Sequence, residues 1–339
     1  MAVELKEIFL KALTNRSELL EKLHSEDTDT YRLFHGVNEG HPGLTVDRYG
    51  EQVLVQAFHE SLSDEDLAML TELVLENVPG ISHVVYNDRS QRGAKHVSSE
   101  ELDQASEQEL EALTCKELGV TYAVRGKHRG QDPLLFLDMR SGRRWMLEHA
   151  QGKSVLNLFA YTCGVGICAS VADATESVNV DFALSSLQFG IENAELNKLD
   201  DKKISFVHED VIPVIRQLGG LKVTGRAARK HKFLKLDARQ FDIVYMDPPR
   251  WAKTPFGAID LVRDYQTLFK PALLATAEGG QIFCTNHVPK VDLDEWISSI
   301  KRCAEKAGRT VRSIEVIEPE TDFPSPDGRH PLKMAVLNV

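Results

Sequence analysis

No stretch of this chain approaches the roughly 20 consecutive apolar residues that a membrane-spanning helix needs. The opening residues, MAVELKEIFLKAL, carry acids among their apolar positions and hold no signal-peptide core. The expected location is the cytoplasm, with no membrane partner. Cysteine is scarce: Cys115, Cys163, Cys168, Cys284 and Cys303 are odd in number and scattered. No pair has zinc-site spacing, which argues against a metal centre and against a disulfide framework. Positive charge is in deficit, with 40 Lys and Arg against 51 Asp and Glu for a net charge of −11. A polyanion gripped by the surface at large is disfavoured, because phosphate contacts need Lys and Arg. A local basic face remains open.

The length of 339 residues suits two domains, at roughly 100–200 residues each. Residues 1–30 carry apolar positions at helical spacing (Val3, Ile8, Phe9, Leu13, Leu19, Leu20, Leu23) and read as an N-terminal helical segment. Residues 31–130 alternate strands, glycine turns and one amphipathic helix at 63–78, and read as a small α+β domain facing the substrate. Within it, 100–113 is an acidic run fit for a solvated helix or loop, and 125–130 is a basic turn. From 131 to 339 strands and helices alternate, as in a doubly wound parallel sheet. A helix is expected from about 258 to 277, and two closing strands at 310–318 and 333–338 follow one another without a helix, which predicts a terminal antiparallel hairpin. Residues 221–240 interrupt this alternation with a basic insertion that includes Arg229, Lys230 and Lys232. They are either a solvated charged loop or a phosphate-contacting arm.

The chemistry centres on residues 154–166, SVLNLFAYTCGVG. A short apolar strand runs into a turn holding Gly164 and Gly166, and a helix follows. Such a turn lets backbone approach a nucleotide-like ligand and points helix N–H groups at it. The third glycine of the dinucleotide pattern is missing. The next strand ends in Asp181, which can accept hydrogen bonds from both ribose hydroxyls. A later strand ends in Asp247-Pro248-Pro249-Arg250-Trp251. Two prolines after an acid make a rigid, extended tip. That tip can present the carboxylate and proline carbonyls to a flat base, on which Trp251 can stack.

These motifs, with Tyr31-Arg-Leu33, residues 42–49, Phe136-Leu-Asp-Met-Arg140, Val155 to Thr162, Asn193 to Leu199, Asp210 and Phe241 to Arg250, carry a resemblance. The chain resembles the bacterial 23S ribosomal RNA methyltransferases that modify carbon 5 of cytosine, and their relatives that methylate N7 of guanine. The resemblance covers about residues 30–339. It implies a Rossmann-like class I methyltransferase sheet with a smaller N-terminal α+β domain, S-adenosylmethionine as cofactor and large-subunit ribosomal RNA as partner. It implies that Asn157, Phe159, Ala160, Tyr161, Thr162, Gly164 and Gly166 surround the methionine part, that Asp181 holds the ribose and that Asp210 accepts from the adenine amine. Asp138 and Arg140 would lie near the cofactor, or form an inter-domain salt bridge. Asp247, Pro248 and Pro249 would present the base, with Arg250 and Trp251 on the substrate side. The oligomeric state is left as monomer or homodimer.

Two departures matter. Family members often begin with a PUA-like domain, and no room for one exists before residue 30. Cytosine carbon 5 also becomes nucleophilic only after a thiolate adds to carbon 6. The family's cysteine aligns with Thr285, and Cys284 is displaced by one residue, which turns a strand side chain to the opposite face. Asn286 matches the asparagine of the guanine-modifying relatives, so N7 of guanine is favoured over cytosine. Two other classes stay open: an NAD-dependent oxidoreductase using the same turn, and a non-catalytic RNA-binding or ribosome-assembly protein retaining the fold.

Overall fold

The structure is a computed structural model that describes residues 2–90, 95–98, 113–125 and 133–339. The acidic run at 100–112 and the basic turn at 126–130 lie outside the described residues. The chain divides into two compact units, Met1–Arg140 with Glu320–Arg329, and Ser141–Pro319 with His330–Val339.

The first unit is built on a sheet of β1 (Thr30–His35), β2 (Leu44–Tyr49), β3 (Gln52–Ala57), β4 (His83–Asp88) and β5 (Lys95–Ser98), in that order. β1, β2 and β3 form antiparallel hairpins, with a short helix α3 (Gly36–Glu39) between β1 and β2, and β3 pairs in parallel with β4 across helix α4 (Asp64–Asn77). Gly50 turns β2 into β3 at φ +63, and a Cβ there would lie 2.3 Å from the Thr114 carbonyl oxygen. Ser63 caps α4 by accepting from the Asp66 N–H, which fixes where that helix begins.

Helices α1 (Ala2–Asn15) and α2 (Ser17–Ser25) belong to this unit instead of standing apart as a segment. Leu5, Phe9, Ala12 and Leu23 are buried in one core with Leu33, Phe34, Val46, Val55 and Leu70. The unit boundary falls at Arg140 instead of 130, and Glu320–Arg329 returns to the first unit. Hydrogen bonds explain that return: the Arg32 N–H donates to Asp322, and Asn38 donates to the Pro324 carbonyl. A short antiparallel pair, β6 (Thr114–Glu117) and β7 (Val120–Ala123), completes the described part.

The second unit holds a seven-stranded sheet: β8 (Ser154–Leu158), β9 (Glu176–Asp181), β10 (Ile204–His208), β11 (Phe241–Met246), β14 (Thr276–Asn286), β15 (Ser313–Ile317) and β16 (Lys333–Asn338). The order is β10-β9-β8-β11-β14-β16-β15. The five strands from β10 to β14 are parallel, and β16 lies antiparallel between β14 and β15. This is the expected doubly wound sheet with its terminal antiparallel hairpin. Helices α5 (Arg140–His149), α6 (Gly164–Val171), α7 (Leu184–Leu196), α8 (Val211–Leu218), α10 (Tyr265–Leu274) and α11 (Leu293–Lys306) accompany it, with a short α9 (Gly225–Lys230) inside the basic insertion.

The helix expected from 258 starts at Tyr265. Residues before it form a hairpin, β12 (Trp251–Thr254) and β13 (Gly257–Asp260). Pro255 and Phe256 make its turn, and Ile259 is the one fully buried side chain of β13. Among the described residues, no helix is long and apolar enough to cross a membrane, and no cluster of His, Cys, Asp and Glu could hold a metal ion.

Candidate active site

The turn after β8 is strained. Phe159, Tyr161 and Cys163 all have positive φ, at 59°, 51° and 63°. Each non-glycine residue in that region costs about 1–2 kcal/mol. Such backbone persists only where its surroundings over-determine it, and it clusters at functional sites. Here the surroundings are explicit. The Ala160 N–H donates to the Val180 carbonyl at 3.0 Å, and the Tyr161 N–H donates to the Asp181 carboxylate at 2.9 Å. From α7, the buried Asn193 amide donates to the Thr162 carbonyl at 3.0 Å. One turn earlier stands Gly190, where a Cβ would lie 2.5 Å from Cys163 Sγ. Asn193 and Gly190 therefore shape the turn from outside. Sequence reasoning gives neither a role, although Asn193 opens one of the family motifs.

Asp181 closes β9 beside this turn. Its second oxygen accepts from the Ala183 N–H at 2.8 Å. Burial pushes its carboxyl up, against the pull of the Ala183, Tyr161 and Phe182 N–H groups and of His208. A carboxylate has about four acceptor sites. With one Asp181 oxygen bonded to each of two backbone donors, acceptor capacity remains for ligand hydroxyls.

Asp210 caps α8 with Oδ1, which accepts from the Ile212 N–H at 2.9 Å. Its Oδ2 is enclosed and accepts no hydrogen bond of good geometry, with the Thr254 side chain as the polar group nearby. A buried acceptor without a donor is costly, which leaves this atom open to a ligand donor. Burial raises the Asp210 carboxyl, opposed by the Thr254 side chain and the Ile212 N–H.

Gly166 has a structural reason of its own. A Cβ there would sit 1.8 Å from Asn179 Oδ1. That oxygen also accepts from Asn157 Nδ2 at 2.9 Å. The glycine thus lets α6 pack against β9, and the donor end of Asn157 holds the strand beneath the turn. Phe159, Ala160 and Thr162 are nearly covered, while Tyr161 and Gly164, at the start of α6, are partly open.

At the tip of β11, Asp247 accepts from Thr285 Oγ1 at 2.5 Å. Burial raises the Asp247 carboxyl, opposed by the Thr285 donor and by the charges of His287 and Arg143. Pro248 is buried, Pro249 half-buried, Arg250 exposed, and Trp251 is 64% exposed. Thr285, where the family's cysteine is expected to fall, meets the acid of the β11 tip with its side chain. Phe283, two residues earlier, stacks on Tyr245 at 4.5 Å.

Cys284 points the other way. It lies wholly buried in the core with Tyr265, Trp296 and Ala335. Its thiol donates to the Ala335 carbonyl at 3.5 Å, and burial pushes its pKa up to about 12. It is not available as a thiolate nucleophile. Asn286 has to be corrected as well. It is 0% exposed, its Nδ2 donates to the Leu261 carbonyl at 3.2 Å, and its Oδ1 accepts from the Val288 N–H at 3.1 Å. It shapes the turns around β14, with both ends of its amide engaged inside the fold.

Arg140 is the second correction. It belongs to the first unit and is 0% exposed. Nε donates to Glu117, Nη1 to Glu320 and Asp322, and Nη2 to Asp322 and the Thr30 carbonyl. These contacts use all five donors of a guanidinium, and none is left for a cofactor. Arg140 does form a salt bridge, but every partner lies inside the first unit, so the inter-domain alternative is corrected too. Asp138 occupies the turn Leu137–Met139 of that unit, where its charge is felt by Arg32.

In the basic insertion Arg229, Lys230 and Lys232 are exposed. The insertion is packed in place. Phe233 meets Phe256 of the β12–β13 turn edge-on at 5.4 Å, and Gln217 of α8 holds the Leu234 carbonyl and the Leu236 N–H.

The chain belongs to the family of S-adenosylmethionine-dependent methyltransferases, whose model matches residues 31–338. It is therefore a methyltransferase, and its cofactor is S-adenosylmethionine. The ribosomal RNA large subunit methyltransferase I of Aliivibrio fischeri (strain MJ11) is 27% identical over 320 residues, covering 94% of this chain and 76% of that protein. The ribosomal RNA large subunit methyltransferase K/L of Colwellia psychrerythraea (strain 34H / ATCC BAA-681) is 28% identical over 319 residues, covering 91% and 40%. A methyltransferase structure complexed with SAH matches with a TM-score of 0.80 at 23% identity, covering 100% of this chain and 82% of that one. A SAM-dependent methyltransferase from Streptococcus mutans gives 0.78 at 23% identity, covering 100% and 81%. The likeness to these solved structures shows the fold.

Proposed function

We propose that this enzyme methylates a base of large-subunit ribosomal RNA, with N7 of guanine as the acceptor atom. The observation that carries the choice of atom is the Asp247–Thr285 pair. Where a cytosine enzyme needs a thiolate, this chain has a hydroxyl bonded to the acid of the β11 tip. The nearest cysteine in sequence, Cys284, is sealed in the core. Guanine N7 carries its own lone pair and needs no covalent activation, so alignment of donor and acceptor suffices. Ribosomal RNA as substrate draws on the function that the relatives are named for, and they match most of this chain.

In this reading Asp181 takes the two ribose hydroxyls, and Asp210 Oδ2 takes the adenine amine. Residues 159–164 wrap the methionine part. When bound, S-adenosylmethionine would supply the methyl group, activated on a sulfonium whose S–C bond would break to a neutral thioether as the N–C bond formed. Asp247, Pro248 and Pro249 fix the position of the base. Trp251 stacks on it, and Arg250 reaches the flanking phosphate. A base acted on in folded RNA has to leave its stack first, and an exposed indole at the site entrance gives it a surface to land on.

Cys284→Ala tests this directly. Methyl transfer from labelled S-adenosylmethionine to rRNA is expected to stay within about twofold of wild type, because no barrier step uses the thiol. The label is expected in 7-methylguanosine. A dead variant that still folds and binds S-adenosylhomocysteine, or label in 5-methylcytidine, would restore the covalent cytosine mechanism.

A further inference from the structure

The basic insertion and the β12–β13 hairpin come from separate parts of the chain, yet they form one surface. Phe256 at the hairpin turn receives Phe233 at 5.4 Å and His231 at 6.1 Å. Lys235 Nζ lies 3.5 Å from the Phe233 ring centre. The two ends of the insertion are tied to α8: Arg216 donates to the Lys222 carbonyl at 2.9 Å, and Gln217 donates to the Leu234 carbonyl at 2.9 Å. The Leu234 N–H donates to Glu209, next to Asp210, at 2.7 Å. A merely solvated loop would show no such set of contacts.

The charge of this surface runs against that of the protein. The chain carries a net charge of −11. Lys222, Arg226, Arg229, Lys230, Lys232 and Lys235 are nonetheless all exposed on the insertion. Arg250 and Lys253 are exposed beside Trp251 on the hairpin, directly after the Asp247-Pro-Pro tip. Cations that track phosphates, interleaved with an exposed aromatic that stacks bases, make the footprint of a single-stranded nucleic-acid site. Acidic surface elsewhere repels RNA and so confines it to this face.

We infer that the insertion and the hairpin act together as a docking arm for the single-stranded RNA segment next to the target base, joined through the Phe233–Phe256 contact. This rests on the reading of RNA as substrate. Two variants of the full chain test it. The first replaces Arg226, Arg229, Lys230 and Lys232 with alanine. The second, Phe233→Ala, keeps every charge and removes the joint.

The probe is a fluorescent single-stranded RNA of ~16 nucleotides, the upper site size for one single-strand module. Its binding is read by anisotropy over a range of salt, with S-adenosylhomocysteine affinity as the check on folding. For the charge variant, the slope of log K against log salt is expected to flatten by about 0.7 for each phosphate no longer neutralised, roughly 3 in all, with affinity down about tenfold or more at low salt. Phe233→Ala is expected to weaken RNA binding while S-adenosylhomocysteine affinity holds. Wild-type affinity and slope in the charge variant would overturn the arm. A wild-type protein that binds no RNA at all would remove the RNA reading, and the arm with it.

Discussion

Replacing Asp181 with alanine is expected to weaken S-adenosylhomocysteine binding by about 100-fold. Two hydrogen bonds from hydroxyls to a buried carboxylate contribute about 1.5 kcal/mol each, and each 1.4 kcal/mol is a factor of ten. The same carboxylate also accepts from the Tyr161 N–H inside the strained turn. Its loss therefore frees the backbone that, in the proposed reading, wraps the methionine part, which adds to the effect. Titration calorimetry reads the affinity, and an unchanged value would exclude Asp181 from the cofactor site.

The pH dependence of the wild-type site has a definite sign. Burial holds the Asp181 carboxyl above its ordinary value. As pH falls through that raised value the acceptor is protonated and S-adenosylhomocysteine affinity drops. The ligand-free fold binds this proton more tightly than the unfolded chain does. Its stability therefore gains slightly over the same window.

The second large effect is on stability. Arg140→Leu leaves Glu117, Glu320 and Asp322 without the cation that holds them, and Glu117 and Asp322 are almost wholly buried. Removing one partner of a buried ion cluster costs about 3–5 kcal/mol. Arg140→Lys is expected to recover little, since an ammonium has three donors and no fork with which to meet three carboxylates and a carbonyl. Denaturant unfolding measures the loss. At denaturant concentrations where both proteins are folded, S-adenosylhomocysteine affinity is expected to stay within about twofold. A stable Arg140→Leu protein with lost affinity would put Arg140 back at the cofactor.

What is legible in the sequence, and what is not, follows from distance along the chain. The doubly wound sheet is written in local periodicity: short apolar runs, glycine turns and amphipathic helices recur in order. Asp181 and Asp210 stand out because each sits at a strand end, which local pattern locates. The role of Arg140 escapes local reading because its partners stand at residues 30, 117, 320 and 322, and no nearby signal connects them. Gly166 reads as a ligand glycine, although its immediate constraint is Asn179 on the next strand.

The hairpin at 251–260 is hidden for a different reason. Ile259, Leu261 and Val262 continue an apolar pattern backward from the helix that starts at Tyr265, and that pattern masks the Pro255–Phe256 turn. The case of β14 is decidable from sequence. Side-chain parity correctly turns Cys284 away from Thr285. The same parity places Asn286 on the face of Cys284, and the structure buries both. Thr285, on the opposite face, is buried too, and the structure shows its side chain reaching Asp247.

The central claim is methyl transfer to a guanine of large-subunit rRNA without a covalent cysteine. Its most direct test is mass-spectrometric mapping of modified nucleosides in 23S rRNA from cells with the gene, without it, and complemented with Cys284→Ala. The account predicts that one 7-methylguanosine disappears on deletion and returns with either the wild-type or the Cys284→Ala chain. An unchanged rRNA, or a 5-methylcytidine that returns only with the wild-type chain, would contradict it.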